Sequence, residues 1–153
     1  MEPLPSSTTA VMAAECLAVR VRVLSRAVTS LYDEALRPHG LKVTQMNLLV
    51  ALTLLGESRP SRLCDLLHLE RSTFSRNIER MCRQGWVATA PDVDARAHLV
   101  SVTEAGRVLL ERAKPAWGIA QAQALALLGE EGERAISEAG SRLMGVRPRE
   151  ERP

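Results

Sequence analysis

The stretch from Arg71 to Val87, RSTFSRNIERMCRQGWV, holds the residues whose types and spacing could do chemistry. Its apolar residues Phe74, Ile78, Met81 and Cys82 recur at the i, i+4, i+7, i+8 spacing of an amphipathic helix. At about 100° per residue, Ser72, Arg76, Arg80 and Arg83 fall roughly opposite that stripe. One face of such a helix is buried. The other carries short hydroxyls at its start and guanidiniums along its length. That combination suits a DNA duplex. The major groove admits one helix, and small side chains at the helix N-terminus let its backbone approach the base edges. Arginine bonds guanine in bidentate fashion, while hydroxyls and further arginines bond phosphate oxygens. A charge run taken alone is more often an ordinary solvated face, so the rest of the chain must decide.

Other chemistries find little support. The 153 residues contain no GxSxG, GxGxxG, P-loop or HExxH pattern and no paired acid/base spacing, so an enzyme is not expected. Cys16, Cys64 and Cys82 are odd in number and form no CxxC pair, which argues against a disulfide framework and a zinc ribbon. His39, His68 and His98 are scattered, and neither a metal nor a cofactor is expected. Cys64 and Cys82 are expected in the core. Aromatic residues make up only 3% of the chain, too few for a platform that stacks single-stranded bases. The net charge is +2. Residues 1–58 balance five basic against five acidic side chains, and residues 104–153 balance eight against eight. Residues 59–103 carry seven basic and five acidic, so the whole excess surrounds the polar-faced helix. No apolar run reaches the roughly 18 residues of a membrane span. The opening MEPLPSSTTA does not read as a leader, and the expected location is the cytoplasm.

The elements that must position this helix follow from periodicity and breakers. A long helix is expected over 10–37, because Leu17, Val21, Leu24, Val28 and Leu31 alternate spacings of four and three as a heptad seam. Pro38, His39 and Gly40 end it. A second helix fits 43–55, with Met46, Leu49, Val50 and Leu54 inward, and a short one fits 60–67 with Pro60 at its start. The polar-faced helix runs to residue 84, with Gly85 as its C-terminal stop. Residues 86–89 and 98–102 read as the strands of a hairpin whose loop contains Pro91, Asp92 and Asp94. Arg96 is the one basic residue of that loop, and Asp94 stands two residues away to hold it. Thr103 caps a helix over 104–128, with a kink expected at Pro115, and a last helix covers 130–144. The order helix, short helix, polar-faced helix and hairpin describes a mainly α protein with a winged helix-turn-helix and a two-stranded β wing.

At this point the sequence resembles a family. Residues 85–106, GWVATAPDVDARAHLVSVTEAG, are similar to the wing signature of the multiple antibiotic resistance regulator (MarR) family. The matching features are a Gly with an apolar pair, Asp94-x-Arg96, and then Val100, Val102, Thr103 and Gly106. The preceding STFSRNIERMCRQG resembles its recognition helix and GLKVTQMNLLVAL its second helix, so the resemblance covers about residues 12–145. One departure is Lys42, where the family often has a helix-capping Ser or Thr; the cap is then expected at Thr44.

The resemblance implies a sequence-specific regulator of transcription, a repressor by the family's habit. It implies a homodimer whose first and last helices interleave, with Leu17, Val21, Leu24, Val28 and Leu31 in the interface. Two recognition helices would then meet a pseudo-palindromic operator. The DNA-facing candidates are Ser72, Thr73, Ser75, Arg76, Asn77 and Arg80 on the helix, with Asp94 and Arg96 on the wing. Residues 39–103 would form the DNA-binding domain, residues 10–38 and 104–146 the helical dimerisation region, and residues 1–9 and 147–153 mobile tails. A small anionic or phenolic effector would release the DNA. The alternative signal is oxidation of Cys16, with Tyr32 as its companion, although Cys16 stands two residues further from Gly40 than the cysteine of the family's oxidant sensors. The remaining alternative is a helical interaction module that binds no DNA.

Overall fold

A computed structural model of the chain describes residues 8–93 and 98–143. Six helices and one hairpin follow in order: α1 (Thr8–Glu15), α2 (Leu17–Leu36), α3 (Val43–Leu55), α4 (Pro60–Leu67), α5 (Arg71–Arg83), β1 (Val87–Pro91), β2 (His98–Val102) and α6 (Glu104–Leu143). A 3-10 turn, Arg37–His39, closes α2, and Gly40 takes the left-handed conformation after it, at φ 66°. The winged helix-turn-helix expected from residue order is therefore present.

The long first helix is not continuous. Cys16 leaves helical geometry at φ −65°, ψ 105°, which separates α1 from α2. The Arg20 guanidinium reaches back and bonds the carbonyl of Ala14 there. The heptad seam divides in the same region. Leu24, Val28 and Leu31 are half-buried where α2 packs along α6, whereas Leu17 is 72% and Val21 63% exposed. Within one chain the seam therefore has a partner only over its second half.

The core gathers beneath α5. Phe74, Ile78 and Met81 are buried against Leu48, Leu49 and Leu52 of α3, Leu63 of α4, and Val100 and Val102 of β2. The spacing of apolar residues in α3 is not a safe guide to burial. Leu48 and Leu52 are buried, while Val50 is exposed and Leu54 is 80% exposed, against the expectation for both. The reason is that α3 packs between α2, α4, β2 and α6, so its buried arc is set by several neighbours rather than by one stripe.

The start of α3 corrects a second expectation. The cap does not move to Thr44. Lys42 itself is the N-cap, and its ammonium has no lone pair to offer. Two other side chains take the exposed donors. Gln45 Oε1 accepts from the Lys42 N–H at 3.1 Å, and Asp33 Oδ1, from the last turns of α2, accepts from the Val43 N–H at 2.8 Å.

Helix α6 continues through Pro115 with helical backbone angles. Its interruption falls at Gly129 (φ 66°, ψ 172°), between the two helices expected from sequence, because glycine reaches positive φ without a Cβ clash. The start of α6 is as expected. Thr103 Oγ1 accepts from the Gly106 N–H at 3.1 Å and donates to the Gly85 carbonyl at 2.6 Å.

Candidate nucleic-acid interface

Helix α5 is built to show one face. It opens after Glu70 and has no acidic side chain in its first turn. It ends in a Schellman motif: the Gly85 N–H bonds the Cys82 carbonyl and the Trp86 N–H bonds the Met81 carbonyl, both at 2.9 Å. Gly85 sits at φ 72°, so the chain turns directly into the wing. The buried stripe Phe74, Ile78 and Met81 holds the opposite face outward, and Ser72, Ser75, Arg76, Arg80 and Arg83 are all exposed. Thr73 and Asn77 are half-buried along one flank, where the Asn77 amide donates to the Thr73 carbonyl at 2.9 Å. Arg76 is oriented by its own helix, its Nε donating to the Ser72 carbonyl at 3.2 Å.

The exposed residues do not all share one direction. Arg80 lines a cleft of about 560 Å³ together with Asp33, Glu34, Arg37 and Lys42, so it points along the side of α5 that faces the end of α2. Ser75 lies on the other flank. There it borders a groove between α5 and the wing, whose far wall is Thr89, Ala90, Pro91 and His98.

The wing is tied down from a direction the sequence did not suggest. β1 and β2 pair antiparallel, with Val87 opposite Val102 and Pro91 opposite His98. Ser58, in the turn before α4, adds a bridge to β2: its N–H donates to the Val100 carbonyl at 3.0 Å and the Val100 N–H returns the bond at 2.9 Å. Arg59 then forms an ion pair with Asp92 at 2.5 Å, and the Asp92 side chain is only 9% exposed. The start of α4 and both feet of the wing thus form one frame. Asp94 and Arg96, the wing candidates, lie outside the described residues.

The remaining candidates separate by position. Cys16 is part-buried at the break between α1 and α2. Tyr32 stands sixteen residues along α2, which at about 1.5 Å per residue is about 24 Å away. The two do not form a unit within one chain. Tyr32 instead donates its hydroxyl to Gln121 Oε1 of α6, and burial raises its pKa above the ordinary tyrosine value. Burial likewise raises the Cys64 and Cys82 thiols, in keeping with their places in and beside the core. A smaller cavity of about 220 Å³ lies between α3 and α6, lined by Met46, Val50, Leu110, Glu111, Lys114 and Trp117. Sequence reading did not single out Trp117 or Lys114, since neither belongs to a local motif. Among the described residues no group of His, Cys, Asp or Glu could hold a metal ion, and no helix is long and apolar enough to cross a membrane.

Comparison with known proteins agrees with this geometry. Residues 39–97 match the MarR family model. The HTH-type transcriptional regulator YwoH of Bacillus subtilis is 30% identical over 80 residues, which are 52% of this chain and 58% of that protein's length. The transcriptional regulator MosR of M. tuberculosis, solved in complex with DNA, is 35% identical, with 87% of this chain and 99% of that chain covered at a TM-score of 0.73. A mutant MarR from E. coli, solved with operator DNA, shares the fold at a TM-score of 0.76 and 18% identity, covering 88% of this chain and 97% of that one.

Proposed function

This chain belongs to the MarR family of transcriptional regulators, and from that premise we propose that it binds double-stranded DNA sequence-specifically, as a homodimer. The observation that carries the reading is the division of α5. Its apolar stripe is locked into the core, while Ser72, Arg76 and Arg83 stand outward beside a wing anchored to α4. An exposed helix of this kind fits the major groove, with hydroxyls and Arg76 at its N-terminal half toward base edges. Residues 39–103 would act as the DNA-binding domain, with Thr73, Ser75, Asn77 and Arg80 flanking the contact and Arg96, held by Asp94, reaching the minor groove.

Dimerisation draws support from the apolar residues that one chain leaves uncovered. Leu17, Val21 and Val23 of α2 and Leu127 and Leu143 of α6 are all more than half exposed. A second copy would cover them and bring two α5 helices onto a pseudo-palindromic operator. The same surface supports a dimerisation region over residues 10–38 and 104–146.

We assign the signal to a small anionic or phenolic effector that releases the DNA. The cavity between α3 and α6 supports an effector site, with Met46, Val50, Leu110 and Trp117 as apolar lining and Glu111 and Lys114 beside them. We place the protein in the cytoplasm, beside the DNA it would bind, and assign it no enzymatic activity.

Fluorescence anisotropy with the DNA adjoining its own gene, against a scrambled duplex of equal length, tests the proposal. Tighter binding to the native duplex is expected, with affinity falling steeply as salt rises. Equal affinity for both duplexes would remove sequence specificity. No binding at low salt would remove the DNA function altogether.

A further inference from the structure

Between the start of α4, the start of α5 and the foot of the wing lies a second cavity, of about 370 Å³. Its lining includes Ser61, Arg71, Ser75 and His98, and no carboxylate belongs to it. Arg59 also borders it, but its charge is committed to Asp92. That leaves Arg71, Ser61, Ser75 and His98 as the other polar residues around one space. These groups come from three separate elements. The Ser58–Val100 bridge and the Arg59–Asp92 pair hold those elements in register.

The position of this space relative to α5 gives it a role. Ser72 and Arg76 mark the face of α5 turned away from the core. Arg71 and Ser75 lie one flank round from them, at about 60° and 100° from Phe74 on the helical wheel. A helix with its side chains is about 10–12 Å across and the major groove is about 12 Å wide, so a seated helix has a phosphate backbone along each flank. The flank holding Arg71 and Ser75 would meet one of those strands where α4 and the wing also approach it.

We propose that Ser61, Arg71, Ser75 and His98 form the seat for one backbone phosphate of the bound duplex. This rests on the DNA-binding reading above and extends it to three further residues, Ser61, Arg71 and His98. The seat carries no sequence information. It fixes the depth and register at which Arg76 meets the bases, and its loss lowers affinity for every sequence alike.

Arg71→Gln, Ser61→Ala and His98→Gln test the proposal, each measured as a dimer against native and scrambled duplexes from low to moderate salt. Arg149→Ala, outside both the dimerisation region and the DNA-binding domain, is the comparison. The Arg71→Gln variant should bind both duplexes about tenfold more weakly. The slope of log affinity against log salt should shrink by about 0.9, the value of one lost phosphate contact. Ser61→Ala and His98→Gln should weaken both duplexes in the same ratio, and they carry the test if Arg71→Gln does not fold. Arg149→Ala should change nothing. An unchanged slope and affinity in a folded Arg71→Gln variant, with the wild type still preferring its native duplex, would overturn the seat and leave the DNA function standing. A wild type that binds no duplex would end both. If calorimetry showed inorganic phosphate binding the free protein through Arg71 while the salt slope stayed unchanged, the cavity would hold a free anion and the DNA assignment would fall.

Discussion

The Asp33 carboxylate of α2 accepts the Val43 N–H of α3 at 2.8 Å, and so supplies the cap that Lys42 cannot. Its neighbour Tyr32 donates to Gln121 of α6. Two consecutive residues of α2 thus grip the helical part of the molecule on one side and the first helix of the winged part on the other. Asp33→Ala should destabilise the chain by about 0.5–2 kcal/mol, the usual cost of a lost N-terminal cap. Asp33→Asn, which keeps the acceptor, should recover most of it. Denaturant unfolding of both variants checks this, and equal stabilities for wild type and Asp33→Ala would remove the cap from consideration.

Arg76 and Arg80 are expected to play different parts, since they stand one turn apart on the same face and only Arg80 borders the cleft beside α2. Arg76→Ala should relax preference at one or two operator positions, with a discrimination loss of about 1–3 kcal/mol there. Arg80 lies toward α2 and the cleft with Asp33 and Glu34. Arg80→Ala should weaken all sequences alike and lower the salt slope by about one. Selection of bound sequences from a randomised pool separates the two outcomes. A uniform loss for Arg76→Ala would transfer specificity to the hydroxyls or to DNA shape.

Val21 offers a clean probe of the dimer, because the single chain leaves it 63% exposed. Val21→Asp should therefore fold, yet place an unpaired charge in the apolar contact between copies. Sedimentation velocity should show a monomer with native helical content, and operator binding should fall with it. A normal dimer would move the interface elsewhere.

Gly106 permits a close approach between the wing and α6. A Cβ at that position would lie 2.2 Å from the Trp86 carbonyl oxygen and 2.9 Å from Val102 Cγ2. Gly106→Ala must push β1 and β2 away from the helix, at a cost of about 1–3 kcal/mol by analogy with overpacked cores. Thermal unfolding reads the loss directly. An unchanged midpoint would mean that the junction yields freely.

The Arg96 guanidinium is expected to contact the minor groove. Arg96→Ala should leave the dimer folded and weaken operator binding by about 1–3 kcal/mol. Titration of the operator at fixed salt is the check, and an unaltered affinity would exclude the contact.

What the sequence by itself determined is what depends on neighbours along the chain. The stripe Phe74, Ile78 and Met81 set the phase of α5, Gly85 set its end, and Thr103 with Gly106 set the start of α6. Each is a relation over a few residues, where helical period and capping act without reference to the rest of the molecule. The tertiary structure decided the relations between distant residues. Asp33 substitutes for a capping Lys42, Ser58 joins β2, Arg59 holds Asp92 thirty-three residues away, and Arg80 turns toward α2 while Ser75 turns toward the wing. Leu54 is exposed for the same reason, although its spacing places it with buried residues. Periodicity reports which side of a helix is apolar. The partner a given side chain meets depends on how helices dock, and docking is settled by the packing of all the elements together.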